Sequence, residues 1–582
     1  MRASSHSPRL AERELYRCGR TAVALGALAL AALLGGCAAT SQTASLPPTE
    51  SAPAAGFTIL QINDTYKIEG LRAGAEGGLA RVRTLRKQLE AEGRPVLVLH
   101  AGDFLFPSVM SKYLKGAPMV DALNLLDGGE GFDERFFVTP GNHEFDNPEL
   151  ALLSDRIAQS QFDWITSNVA VTGAPGTPDA GLRPLAARFP NVKDHVVLEL
   201  GGIRVGIFGL TLSDQSRPWV EYGYDLPTRR ATIARVLGDL EREGAQFVIG
   251  LTHQEVGDDE WLAREFPGRI DWIVGGHEHV ALTRTIGATT ITKADADAKS
   301  AYRIDIRPAA PSGGAQRPFV GSGTLVELGA QVAVDPDMIR EVASSLVTLA
   351  RSVEEKTGRK LLDVVATTEH LLEGTEPAIR GRETALGDLL CDILRQRLAT
   401  DIAFVNGGAI RVNDDIAAGG NVRVYELEGI FYYDDKPVVF EVTGRELLEL
   451  LRKSVSQATL GHGRFLQVAG LRFRYDVAAD GTTRVEAADV AVRTAGEGQF
   501  AALDLERRYR AATLDYTWRN GYRDGYPLLS AGAGNGGTSP KLVEEPQISW
   551  RKLTEEALAA LPGQRITTDL DGRIVRVETA AE

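Results

Sequence analysis

The chain has 582 residues, 43% of them hydrophobic and 24% charged, with a formal net charge of -14. Such a length exceeds one ordinary core and implies two large domains, while the balance of apolar and charged residues excludes a disordered chain. The negative charge excludes non-specific binding to a nucleic-acid polymer, which needs a basic face, and leaves small phosphorylated ligands open.

At the N-terminus, Arg2, Arg9, Arg13, Arg17 and Arg20 precede an apolar run from Thr21 to Leu34. That run is short for a membrane span, which needs about 20 residues, and with its basic flank it reads as a secretory signal. Leu34-Gly35-Gly36-Cys37 resembles a bacterial lipobox. The resemblance implies that residues 1–36 are a signal peptide removed before Cys37, and that Cys37 carries the lipid of a membrane-anchored lipoprotein. Ala38 in place of Asp favours the outer membrane, facing the periplasm. Residues 37–56, rich in Ala, Ser, Thr and Pro, read as a flexible tether.

Beyond the tether, apolar runs alternate with helical patterns. Phe57–Ile62, Pro95–His100, Phe136–Val138, Ile203–Leu210, Phe247–Leu251 and Trp272–Val274 read as strands. Residues 78–92 and 228–243 show helical spacing, as do 335–355, 386–398 and 445–453. Strands at 402–405 and 471–475 belong to the second half. The alternation predicts an α/β domain over 57–333 with a buried sheet, a linker helix over 334–356, and a second mixed α/β domain over 357–582.

Ligand-type residues follow the predicted strands of the first domain, where α/β folds place their sites. The motifs are Asn63-Asp64-Thr65-Tyr66, Ala101-Gly102-Asp103, Gly141-Asn142-His143-Glu144-Phe145-Asp146, Thr252-His253-Gln254 and Gly275-Gly276-His277-Glu278-His279. The three cysteines, Cys18, Cys37 and Cys391, form no zinc motif, so any metal must be held by His, Asp, Asn and Glu. Imidazole with carboxylate suits borderline divalent ions such as Zn, Mn or Fe.

Taken in order, these motifs resemble those of the calcineurin-like metallophosphoesterases, and of the 5'-nucleotidase family in particular. The resemblance implies a four-layered α/β sandwich holding two divalent metal ions. Asp103 would bridge them, Asp64 and His279 would belong to the first site, and Asn142, His253 and His277 to the second. His143, oriented by Asp146, would hydrogen-bond the phosphate or the leaving oxygen. The first motif departs from the family's Asp-x-His, with Tyr66 in the histidine position. Tyr66 is then a phenolate ligand to trivalent iron, or a neighbour of a three-ligand site completed by water, or the mark of a weak or absent first metal. The second reading is favoured.

The second half matches the same family. Arg382-Glu383-Thr384-Ala385-Leu386-Gly387-Asp388 resembles its Arg-x-x-x-x-Gly-Asn motif, with Asp388 for Asn. Asn406-Gly407-Gly408-Ala409-Ile410-Arg411 matches Asn-Gly-Gly-x-Ile-Arg, and Asp524-Gly525-Tyr526 resembles Gly-Asp-Gly-Phe. By that resemblance Tyr433 and Tyr526 stack on the base, Arg382 and Arg411 bind the phosphate or the nucleoside side, and Asn406 and Gly408 complete a nucleotide-binding domain. The implied activity is hydrolysis of nucleoside 5'-monophosphates by a monomer. A 2',3'-cyclic-nucleotide phosphodiesterase, a nucleotide-sugar hydrolase, hydrolysis of a sulfur-linked substrate and a non-catalytic metal-binding surface lipoprotein are the alternatives.

Overall fold

The computed structural model describes residues 55–578 apart from residues 130, 174–180, 214–216, 310–318, 497 and 528–539. The expected signal peptide, Cys37 and nearly all of the tether lie outside the described residues. Among the described residues no helix is long and apolar enough to cross a membrane.

Phe57–Ile62 and Val96–His100 are buried at every position, as strands covered on both faces must be. They lie near the middle of a seven-stranded sheet ordered 319–327, 300–308, 57–62, 96–100, 133–138, 162–165, 192–193. The run from 57–62 to 192–193 is parallel, and the other two strands are antiparallel additions. A six-stranded sheet is ordered 282–286, 289–293, 272–276, 247–253, 203–211, 195–200. Its edges are antiparallel and its centre parallel. The two sheets bury Ile59, Leu99, Val205, Ile249 and Val274 between them. Leu79–Glu90 packs Val82 and Leu85 on the outer face of the first sheet. Leu226–Arg242 and Val256–Glu265 cover the second. The domain therefore has four layers, helix, sheet, sheet, helix.

Pro336–Thr357 follows. Asp335 caps it by accepting from the N–H groups of Asp337 and Met338, with Pro336 in the first turn and Gly358 left-handed at its end. Its apolar stripe is divided: Met338 and Val342 join the core of the first domain, Leu349 and Val353 that of the second. Burying each such side chain stabilises by about 1.5–3 kcal/mol, so this one helix is held by both domains. The second domain is built on a five-stranded sheet ordered 466–469, 402–406, 508–514, 437–443, 541–544. Period-two alternation turns Ala403 and Val405 toward the helix Ala385–Arg397, and Ile402 and Phe404 toward Gly444–Val455.

Candidate active site

Parallel strands in one sheet end at one edge, and here both sheets bring their C-terminal ends together. Asp64 follows Phe57–Ile62, Asp103 follows Val96–His100, Asn142 and His143 follow Asp133–Val138, His253 ends its strand, and His277 and His279 follow Trp272–Gly276. Ligand atoms of Asp64, Asp103 and His253 lie within 4.8 Å of one another. His279 Nε2 is 3.2 Å from Asp64 Oδ1, and His253 Nε2 is 3.1 Å from Asp103 Oδ2. The His277 ring centroid is 5.3 Å from that of His253, and Asn142, His277 and Asp103 line the same cavity. All six residues expected as ligands meet in one place.

The backbone there is strained. Asp64, Asp103, His277 and His279 have φ of 52°, 60°, 93° and 60°, left-handed values that cost about 1–3 kcal/mol each outside glycine. Buried polar groups hold these loops in place. Glu144 accepts from the N–H groups of Asp103 (2.8 Å), Phe104 (2.9 Å), Leu105 (3.0 Å) and Gly141 (2.6 Å), tying two loops together. At Gly141 a Cβ would lie 2.1 Å from Asp103 Oδ1, so only glycine lets the loops approach. Lys293 is buried with Nζ 2.9 Å from Asp259 and 2.5 Å from Glu278, and it donates to the carbonyls of Gln254 and Gly276. It thereby fixes the segments next to His253 and His277.

The donor set fits divalent cations. His253 Nδ1 donates to the Ala101 carbonyl at 2.7 Å, which turns Nε2 toward Asp103. That Nε2 faces Asp103 Oδ2 at 3.1 Å, and Asn142 Oδ1 is buried without a hydrogen-bond partner, a costly state for an amide oxygen unless a cation takes its lone pair. Burial pulls the His253 pKa down, but Asp103 outweighs it and raises the value to about 10. Burial likewise pushes Asp64 up, yet His279 and then His253 hold it at about 2. The field at this point attracts positive charge. Tyr66 reaches into it, with its hydroxyl 3.0 Å from Asp103, 3.3 Å from Asp64 and 3.1 Å from His279. Burial, then Asp103 and Asp64, raises its pKa well above the usual phenol value.

A cavity of about 650 Å³ opens from this cage and is lined by both domains, a size within the range of small-molecule sites. His143 Nδ1 is 2.8 Å from Asp146 Oδ2. Burial lowers the His143 pKa, but Asp146 and Asp103 together outweigh it and raise it. From the second domain Asn406, Gly408, Arg411 and Tyr433 line the cavity, with the Arg411 guanidinium 5.8 Å from the Tyr433 ring centroid.

Two expected substrate contacts lie elsewhere. Arg382 is about half exposed and paired with Glu373 through both terminal nitrogens (2.6 and 2.7 Å), away from the cavity lining. Arg380, two residues earlier, is the arginine that lines it. Tyr526 is 3% exposed and packed in the core of the second domain, with its hydroxyl on the Arg464 carbonyl. The aromatic wall is instead formed by Tyr432, Tyr433 and Tyr516. Sequence reasoning also missed Glu144, Lys293 and Glu376. Arg380-Gly381-Arg382 offers two arginines one glycine apart, and which of them is buried against the cavity cannot be read from a motif.

A cation cage and buried arginines that line one cavity are the arrangement of a metal-dependent phosphoesterase. Comparison with known proteins agrees at both ends: residues 57–281 match the calcineurin-like phosphoesterase family, and residues 364–531 match the 5'-nucleotidase C-terminal domain. The chain belongs to the 5'-nucleotidase family that joins these two domains. It is 24% identical over 528 residues to the snake venom 5'-nucleotidase of Gloydius brevicauda, covering 82% of this chain and 83% of that one. The solved 5'-nucleotidase precursor of Thermus thermophilus superposes with a TM-score of 0.67 at 24% identity, covering 90% of this chain and 99% of the other. A sulfate thiohydrolase of the same organism shares the fold, with a TM-score of 0.62 at 18% identity over 92% of this chain and 98% of its own.

Proposed function

We propose that this chain hydrolyses nucleoside 5'-monophosphates to nucleoside and phosphate with the help of divalent metal ions. The observation that carries the reading is one cavity lined by Asp103, Asn142, His277 and His279 of the cage together with Arg380, Arg411 and Tyr433 of the second domain. Two ions, Zn, Mn or Fe, would share Asp103, with Asp64 and His279 on the first and Asn142, His253 and His277 on the second. Bound there, they would activate water and hold the phosphoryl oxygens. Arg380 and Arg411 bind the phosphate by charge-assisted hydrogen bonds. His143, its Nδ1 held by Asp146, presents Nε2 to the phosphate or the leaving oxygen and donates a proton there. Tyr433, with Tyr432 and Tyr516 nearby, supplies faces on which a base stacks. The lipobox-like Leu34-Gly35-Gly36-Cys37 supports export with a lipid anchor at Cys37 and an outer-membrane position facing the periplasm.

Phosphate release from a nucleotide panel, with and without added Mn or Zn, tests the reading. Adenosine monophosphate should be hydrolysed, and Asp103→Ala should lose both metal and activity. His143→Ala should lower kcat by about 10²–10⁴-fold while metal analysis still finds two ions per chain. Failure to turn over any nucleotide with metal bound would overturn it.

A further inference from the structure

Glu376 opens the short helix Glu376–Ile379 of the second domain and is only 3% exposed. Its carboxylate has partners from both domains. Oε1 accepts from Arg380 and, at 3.0 Å, from Arg411 Nη1. Oε2 contacts Nδ1 of His279 in the first domain. The two guanidiniums are buried near each other and repel: after burial itself, Arg411 is what pulls the Arg380 pKa down, to about 9. Glu376 offsets one of these two charges without using up their donors, because Nε of Arg380 and Nε of Arg411 remain buried and unpartnered. Two arginines and one carboxylate leave this trio with one net positive charge. A phosphomonoester carries close to two negative charges at neutral pH, and a phosphodiester carries one.

We propose that Glu376 is a specificity-determining residue that sets the charge of the phosphate-binding end, and so fixes how strongly doubly charged phosphomonoesters are preferred over singly charged phosphodiesters. The proposal rests on the phosphoesterase reading above. In a site removed from water, each added unit of charge acts more strongly on a dianion than on a monoanion. Removing the Glu376 charge therefore favours the monoester disproportionately. The contact with His279 places this control beside the cage, where a carboxylate on the second nitrogen of a ligating imidazole also fixes the ring.

The test uses the full chain stripped of metal by chelation, so that binding is read without turnover. Adenosine 5'-monophosphate and 2',3'-cyclic adenosine monophosphate are titrated against wild type, Glu376→Gln and Glu376→Asp. Glu376→Gln should raise the ratio of monoester to cyclic-ester affinity about tenfold or more. Glu376→Asp, which keeps the charge, should hold the ratio within about twofold of wild type. In the metal-loaded enzyme the ratio of kcat/KM values should move the same way, which a merely structural role would not produce. Equal changes for both ligands, or an Asp variant that shifts the ratio as far as Gln, would overturn the proposal. Glu376→Ala supplies the neutral arm should Glu376→Gln not fold. A shifted binding ratio in a protein that hydrolyses no phosphoester would sink the proposed function and leave this inference standing. An unshifted ratio in an active enzyme would do the reverse.

Discussion

Arg380 and Arg382 are separated by a single glycine and differ in what an anion needs. Arg380 is buried beside Arg411 with an unpartnered Nε, whereas Arg382 already spends both terminal nitrogens on Glu373 in solvent. Hydrogen bonds to charged groups contribute about 1.5–3 kcal/mol when buried, and exposed pairs about 0–1. Arg380→Ala should therefore cut kcat/KM for a nucleotide by about 10–100-fold, and Arg382→Ala should leave it within about threefold; steady-state kinetics showing the opposite ranking would reject the assignment. Tyr66 carries a second prediction. Its protonated hydroxyl sits against Asp64, Asp103 and His279, where a histidine would offer a lone pair. Tyr66→His should tighten metal binding about tenfold or more in a competition titration with a chelator, since imidazole is by far the better neutral ligand; unchanged or weaker binding would refute it. The cage itself was legible because each ligand type follows an apolar run. The left-handed backbone at Asp64, Asp103, His277 and His279 was not, since nothing in the local sequence requires it. Glu376 was illegible too: its partner His279 lies in the other domain.

Strands and helices were legible where burial is one-sided or wholly apolar. Phe57–Ile62 and Trp272–Gly276 announce themselves as apolar runs, and the stripe of Pro336–Thr357 as a periodicity. Ser300–Pro308 does not, because Arg303 and Asp305 sit buried within it. Arg303 holds Glu92 with both terminal nitrogens at 2.6 Å, and Arg94 meets Asp305 at 2.8 Å, so charge is satisfied inside a strand that looks polar. The helix Ala385–Arg397 shows the same principle with a consequence for stability. Asp388 in its first turns is fully buried, and the cation beside it is Arg573, whose Nε lies 3.2 Å from Oδ1 and is shared with other carboxylates. Burial raises its pKa from 3.8 to about 9, with Glu383 and Asp571 adding to the rise against the opposing Arg573. Arg573 is itself held by Asp392 and Asp571, each at 3.1 Å. The folded chain thus keeps a proton that the unfolded chain releases above its ordinary carboxyl pKa. Stability from this group is full at acid pH and fades as the pH rises toward about 9. Asn cannot ionise and escapes that loss. Asp388→Asn should therefore gain on wild type as the pH is raised from about 5 to about 9, by on the order of 1 kcal/mol or more at the alkaline end. Urea unfolding at several pH values reads this directly, and a stability difference that stays flat with pH would contradict it.

At the scale of the whole molecule the cavity lies between two domains joined in two different ways. Val109 and Tyr113 of the first domain pack into the second domain's core, next to Leu349 and Val353 of the shared helix. This apolar side does not part easily. The other side is polar. The Arg72 N–H donates to Asp414 at 2.9 Å, Lys67 lies 3.8 Å from Asp414, and Tyr425 meets Glu69. Such contacts exchange readily for water. The Glu376–His279 contact spans the same gap beside the cage, so a nucleotide seated between Arg411 and Asp103 is held from both sides. Release of nucleoside and phosphate is therefore expected to proceed by opening of the polar side, with the apolar side and the shared helix as the pivot. A disulfide between cysteines introduced by Arg72→Cys and Asp414→Cys would fasten the polar side. Cys391, the free cysteine among the described residues, is buried and should not interfere. The oxidised protein is expected to lose turnover by about tenfold or more with its metal content unchanged, and reductant should restore it. Full turnover by the oxidised form, with the cross-link verified, would show that substrate and product pass without any separation of the domains.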